Sequence, residues 1–263
     1  MHSLEPSDSL IPTPVSLALI AGNLLRGGFP HGFSLRAGGV SEGAFASLNF
    51  GVGDVQAHVA ENVARFARAT GFDPTGLRQV VQVHGSRVVD AAEIPDDWAP
   101  REEGDALVLA PGGDSRACAV GVRVADCVPI LVGSLDTGAV AAIHAGWRGV
   151  VVGIVDAAIA QLAGAKLVAA VGPCIGPCCF EVSGEVADQI MLACKDDRVV
   201  ARRDGGKAYV DLRLAVERQL AAAGVKDVEQ VGGCTRCEGD RFFSYRRDGA
   251  QSGRHLAAIA LRG

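Results

Sequence analysis

Apolar residues recur along this chain in two rhythms, and together these divide most of it into elements. Residues 105–110, 117–124, 128–132, 139–143 and 167–171 are short, nearly continuous apolar runs, which predict strands buried on both faces. Residues 79–89 alternate and carry β-branched side chains, predicting a strand interrupted at His84-Gly85. Residues 228–231 and 255–260 predict the closing strands. Helical spacing runs over 55–71 through Val59, Val63, Phe66 and Ala67, with Gly71 as its stop before Asp73-Pro74. Residues 150–162 are apolar nearly all round between Gly149 and Gly164, predicting a buried helix. Residues 184–194 and 212–224 are again helical in period, the second with Asp211 as N-cap and Gly224 as stop. Near the start, Gly27-Gly28, Gly38-Gly39 and the stretch from Gly51 to Gly53 punctuate short strand-like pieces. Strands and helices do not alternate regularly, so the order predicts a mixed α+β sandwich rather than a doubly wound sheet. No repeat or linker divides the chain, so a flexible tail over 1–14, with Pro6, Pro12 and Pro14, precedes a single domain over 15–263.

Composition narrows the function. With 49% apolar residues the chain can bury a sizeable core. A net charge of −5 without clustered Lys and Arg argues against nucleic acid or a membrane surface as partner. No stretch approaches the ~20 apolar residues of a membrane span. The N-terminal residues, with Glu5 and Asp8, lack the pattern of a secretory signal. The eight cysteines are therefore expected as thiols, ligands or core residues of a cytoplasmic protein rather than as disulfides.

Three residues stand out as candidate metal ligands. Cys127 follows Asp126 between two apolar runs, where a polar pair is costly unless something partners it. His144 ends a predicted strand in His144-Ala-Gly-Trp-Arg-Gly149, and His84 sits where the earlier strand breaks. Two imidazoles and one thiolate leave the fourth position of tetrahedral zinc free for water, as in a catalytic site. The donor set suits zinc first and copper second. The competing reading is a buried cysteine with two hydrogen-bonded histidines.

Other segments could complete a site. The glycines around Arg148 could converge backbone N–H groups on an anion at a helix start, and a tight turn with a paired Arg148 fits equally well. Arg36-Ala-Gly-Gly-Val-Ser41 with Ser47-Leu-Asn-Phe-Gly51 places Asn49 in an apolar setting, and Phe243-Ser-Tyr-Arg-Arg-Asp-Gly249 gathers aromatic and basic residues. Solvated turn charges are the plainer reading of Arg246 and Arg247. Cys174, Cys178 and Cys179 with Cys234 and Cys237 could supply four thiolates to a structural zinc. Against that, the first group lies in a Gly-Pro turn and free cysteines are often simply buried. Cys118 and Cys194 read as core.

Taken together and in order, these motifs resemble the laccase-domain, or multicopper polyphenol oxidase, family, also described as purine nucleoside phosphorylases of the YfiH type. The resemblance is carried by the Arg36 and Ser47 segments, Gln82-Val-His-Gly, Ala125-Asp-Cys-Val-Pro-Ile and His144-Ala-Gly-Trp-Arg-Gly. It continues through Gly172-Pro-Cys-Ile-Gly-Pro-Cys-Cys-Phe-Glu-Val182, Asp211-Leu and Phe243-Ser-Tyr-Arg-Arg-Asp, from about residue 30 onward. It implies a single-domain α/β/β/α sandwich and zinc on His84, Cys127 and His144. It also implies phosphorolysis of adenosine, inosine, guanosine or S-methyl-5'-thioadenosine, with adenosine deamination at the same site. The paired cysteines 178 and 179 belong to a motif of that family without an established metal. Phe180 departs from a frequent tyrosine, so a hydroxyl there is not needed for the chemistry.

For phosphorolysis, Arg148 and the adjacent helix start are expected to bind phosphate, with Arg36 or Arg247 as helper and Asn49 near the substrate. Asp126 is the candidate for proton transfer, or for orienting a histidine ligand. The expected partners are purine nucleosides and phosphate, bound by a monomer or weak homodimer. Alternatives are a copper-dependent phenol oxidase, a hydrolase with Cys127 as nucleophile, and a zinc-binding module without turnover. A single His2Cys site lacks the further copper centres that four-electron oxygen chemistry requires.

Overall fold

The computed structural model describes residues 16–95, 100–112, 116–162 and 164–263. The expected tail over 1–14 lies outside them. Two mixed sheets face each other. The first has five strands in the order Ala18–Leu19, His31–Ser34, His255–Ala260, Ala119–Val124 and Leu77–Arg78. The second has six, in the order Asp227–Gln230, Leu167–Val171, Val128–Ser134, Val140–Ala145, Ala106–Leu109 and Val88–Asp90. Within it, Ile130 lies opposite Ile143 and Leu131 opposite Ala142.

This register divides the apolar runs between two cores. Leu131, Val140, Ala142, Leu107 and Ala170 point inward and meet Phe33, Val120, Val122, Ala257 and Ile259 of the first sheet. Their neighbours Ile130, Val132, Ile143, Ala169 and Val171 point outward, beneath the helices Trp147–Val151, Ile154–Gln161, Gly184–Cys194 and Leu212–Ala222. Strands buried on both faces need apolar residues at every position, which is why these runs do not alternate. On the far side of the first sheet, Phe66 of helix Gln56–Thr70 packs with Leu48 and Phe50 against Leu256, Ala258 and Ala260. The layers are helix, sheet, sheet, helix.

Three local departures matter. The helix expected over 150–162 is two helices, parted by Gly153 at φ 81°. That left-handed backbone interrupts the helix and costs glycine little. The strand expected over 79–89 is not continuous. Leu77–Arg78 belongs to the first sheet and Val88–Asp90 to the second, so the segment between them crosses the mouth of the sandwich. A small third sheet of Glu181–Ser183, Lys207–Val210 and Val200–Asp204 is an addition the apolar pattern did not signal. Its outer strand, Val-Ala-Arg-Arg-Asp, is largely exposed and buries no apolar face that periodicity could register.

Two buried histidines tie the first sheet together as neutral rings. His31 Nε2 accepts from the Ala21 amide at 2.9 Å, with Nδ1 2.8 Å from the Phe29 carbonyl. His255 Nε2 accepts from the Phe243 amide at 2.7 Å, and its Nδ1 faces Ser34 Oγ at 3.3 Å. Burial lowers both, and His255, also beside the Arg36 and Arg247 charges, falls from 6.5 to about 3. The unfolded chain therefore takes up protons near pH 6.5 that the folded chain refuses. Stability is full above that pH and declines as the pH falls toward about 3. Urea midpoints measured across this window should fall with acidification, and His255→Gln should flatten the slope. An unchanged slope in that variant would contradict the assignment.

Candidate metal centre and its cavity

The site sits where the chain passes between the two sheets. Ala125, Asp126 and Cys127 link the strand Ala119–Val124 of the first sheet to Val128–Ser134 of the second. His84 lies on the other crossing, between Leu77–Arg78 and Val88–Asp90. His144 comes from the strand Val140–Ala145 and follows Val140 and Ala142 in the alternation toward the inter-sheet side. The ligand atoms of His84, Cys127 and His144 all lie within 4.8 Å of one another. Cys127 Sγ is 3.8 Å from His84 Nε2, and the two imidazole rings meet edge to face at 4.8 Å.

Asp105, which stands in none of the motifs described above, organises this convergence. Its carboxylate is fully buried. Oδ1 accepts from the His84 amide at 2.9 Å and lies 2.8 Å from His144 Nδ1. Oδ2 accepts from the amides of Gly85 at 2.6 Å and Val83 at 3.3 Å. His84 is held at φ 63°, a left-handed conformation uncommon for a non-glycine residue. The Asp105 bonds to three consecutive amides stabilise that turn. They also engage Nδ1 of His144, leaving Nε2 as the nitrogen free for a ligand bond, the usual arrangement behind a metal-bound histidine. The available signal was a lone aspartate opening an apolar run, the same pattern that drew attention to Asp126.

Gly146 is required by close approach. A Cβ there would stand 2.9 Å from His84 Cδ2 and 3.2 Å from Cys127 Sγ. Electrostatics match a ligand set that binds a cation through thiolate. Burial raises the Cys127 thiol, but His144 and His84 outweigh it and bring it down from 9.0 to about 6. Burial lowers His144, and the opposing pull of Cys127 and Asp105 takes it up to about 9. Together the three side chains offer one sulfur and two nitrogens to a single centre. Cys127 is a free cysteine, and with the two imidazoles beside it the donor set fits a borderline-soft divalent cation.

The three donors open into a cavity of about 920 Å³. That volume suits a small organic ligand. Phe50, Phe180 and Tyr245 supply aromatic lining, and Arg123, Arg246 and Arg254 supply cationic lining. None of the three guanidinium groups pairs with a carboxylate among the described residues. Arg254 donates to the carbonyls of Ser252 and Gly253 and lies 5.5 Å over Tyr245. Arg246 donates to the Glu181 carbonyl at 2.9 Å and lies 5.5 Å over Phe180. Burial, and then the neighbouring Arg254, push Arg123 below its usual value.

The residues expected from the sequence to transfer a proton or bind phosphate or substrate stand around the cavity rather than on its surface, with one exception. Arg148 is exposed and stacks 4.5 Å over Trp147. Arg36 donates to the carbonyls of Ala46 and Gly239 and lies 4.8 Å over Phe243. Arg247 donates to the carbonyls of Thr235 and Phe242 and pairs with Asp248 at 2.8 Å. Asn49 is fully buried, accepts from the amides of Gly51 and Arg254, and donates to Asp54, so it shapes the loop 50–54 that lines the cavity. Asp126 is the exception and does line it. Its oxygens accept from Thr235 Oγ1 and the Arg246 amide, both at 2.6 Å, and its carbonyl accepts from the Ile175 amide. It clamps three segments of the wall, while orienting His144 falls to Asp105.

Comparison with known proteins identifies the family. The family described as multi-copper polyphenol oxidoreductase laccase matches residues 30–262. A purine nucleoside phosphorylase from Deinococcus radiodurans is 41% identical over 238 residues, covering 88% of this chain and 89% of the relative. An adenosine deaminase, RL5, from an unknown prokaryotic organism is 38% identical over 223 residues, covering 79% and 84%. The crystal structure of a Neisseria meningitidis protein of the DUF152 family superposes with a TM-score of 0.79 at 34% identity, covering 90% of this chain and 95% of that one. Both the extent of the family match and the level of identity place the chain within the multi-copper polyphenol oxidoreductase laccase family.

Proposed function

We propose that the chain is a zinc-dependent purine nucleoside phosphorylase, acting on adenosine, inosine, guanosine and S-methyl-5'-thioadenosine, with adenosine deamination at the same site. The observation that carries this reading is the cavity itself. It combines a three-donor centre, aromatic faces and guanidinium groups without carboxylate partners, in a relative of proteins named for both activities. The free cysteines favour a reducing compartment, the cytoplasm.

His84, Cys127 and His144 would hold the zinc, which when bound supplies Lewis acidity toward a heteroatom or a water molecule. Phe180 and Tyr245 offer faces on which a purine can stack. Arg123 and Arg254 form the anion pole. Two neighbouring cations repel each other, and a phosphate between them removes that repulsion, so phosphate is favoured over a neutral ligand. In phosphorolysis a phosphate oxygen attacks the anomeric carbon, the glycosidic bond breaks, and its electron pair leaves with the purine. The guanidinium groups would hold phosphate for that attack. Arg36, Arg247 and Asn49 support the loops that carry the cavity wall.

One arrangement favours a second reading. Asp105, His144 and Cys127 form a carboxylate–imidazole–thiol series, the order found in cysteine hydrolases. A hydrolase of that kind would survive chelation and lose activity on alkylation. The copper oxidase in the family's name would need further copper centres.

Incubation of zinc-loaded protein with adenosine and phosphate should release adenine and ribose-1-phosphate, and without phosphate inosine should accumulate instead. Absence of both products with zinc bound would overturn the reading. Cys127→Ala should lose the centre's zinc and turnover together, and retained turnover would remove the metal from the reaction. Asp105→Asn keeps the size but cannot accept three amides and a ring N–H. It should weaken zinc binding by about 10–100-fold in chelator competition. Unchanged affinity would show that Asp105 does not set the donor geometry.

A further inference from the structure

Outside the cavity, four cysteines from two distant stretches of chain come together. Cys178 and Cys179 lie within a turn that begins after Gly176, and Cys234 and Cys237 stand at the two ends of a second turn. Their sulfurs all lie within 4.8 Å of one another, with Cys237 at 3.6 Å from Cys178 and 3.3 Å from Cys179. All four thiols are free. Four thiolates about 2.3 Å from a tetrahedral zinc stand about 3.8 Å apart, close to the spacing seen here. We propose that Cys178, Cys179, Cys234 and Cys237 bind a second zinc ion as a closed, structural tetrathiolate centre.

The surroundings are those of thiolate sulfur. The Gly176 amide donates to Cys234 Sγ at 3.2 Å, and Arg236 Nη1 donates to Cys179 Sγ at 3.5 Å. Arg236 has no carboxylate partner among the described residues and faces the sulfurs instead. Binding zinc releases the thiol protons to solvent and leaves a doubly negative centre, which these donors offset. Gly176 also provides room, since a Cβ there would lie 3.3 Å from Cys234 Cβ and 3.4 Å from Cys178 Sγ. Cys174 is not a ligand. It is buried, and its backbone pairs with that of Cys234, fixing the two turns side by side. With four protein ligands no position remains for water, which distinguishes this centre from the open one at Cys127.

Its position explains what such a centre does. None of the four cysteines lines the cavity, but Ile175 and Phe180 on the first turn do. On the second turn, Thr235 donates to Asp126, next to Cys127. Apart from the Cys174–Cys234 pairing, the two turns are irregular chain, and a metal would join them where the sheets do not. The proposal is independent of the nucleoside reading.

Native mass spectrometry of the full chain, purified under reducing conditions with zinc, tests it. Wild type should carry two zinc ions. Cys127→Ala should keep one, and the Cys178→Ser/Cys237→Ser double variant should keep the other. A single zinc that vanishes in Cys127→Ala would overturn the proposal, as would iron in place of zinc or a disulfide within the cluster. Should the double variant misfold, alkylation mapping on wild type decides. Cys178 and Cys237 are exposed, so in the reduced protein a bound metal would shield them. Protection that ends on chelation is expected, with Cys118 and Cys194 unaffected. Equal reactivity with and without zinc would overturn the centre.

Discussion

One buried carboxylate holds the centre together. A charged group without exposure is costly unless donors surround it. Asp105 has three amides and an imidazole N–H around it, so its charge is satisfied by the very groups that need placing. The left-handed turn at His84, a conformation that costs on the order of 1–3 kcal/mol, persists because those amides are engaged. The same oxygen that receives the His84 amide faces His144. Two ligands on different elements therefore share one reference point. Cys127 reaches them from the opposite crossing between the sheets, and Gly146 gives the three side chains space to meet.

This arrangement follows from the sandwich. Two sheets that pack face to face leave a mouth where the chain crosses from one to the other, and both crossings bear a ligand. Irregular backbone in those crossings is held by side chains: Asp105 for residues 83–85 and Asp126 for Ile175, Thr235 and Arg246. The wall built on these clamps carries the aromatic and cationic lining of the cavity. The four-cysteine cluster lies behind that wall, and Thr235, between two of its cysteines, is the link to Asp126.

The apolar runs made most of the fold legible. Strands buried on both faces and helices that cover them leave long signatures, so Leu167–Val171, Gly184–Cys194 and His255–Ala260 fall where the pattern put them. The exposed strand Val200–Asp204 left none. The break at His84 was visible, but its cause, a change of sheet, was not, because a crossing and a bulge both interrupt the alternation. For the centre, the pairing of polar residues with apolar runs pointed to His84, Cys127 and His144. Asp105 shares that signal, but nothing local says which amides an aspartate will meet. Arginines were the least legible. Arg36, Arg148 and Arg247 stood in conspicuous motifs, yet two donate to backbone carbonyls and one stacks on Trp147. Arg123, inside a strand, and Arg254, beside one, are the cations that face the cavity along with Arg246.

The most direct test is anomalous diffraction at the zinc edge from crystals grown with the metal. A peak bonded by His84 Nε2, Cys127 Sγ and His144 Nε2, with the Asp105 carboxylate still on His144 Nδ1, is the expected result. Zinc absent from this point in loaded crystals, or bound there with Asp105 turned away from His144, would contradict the centre described here.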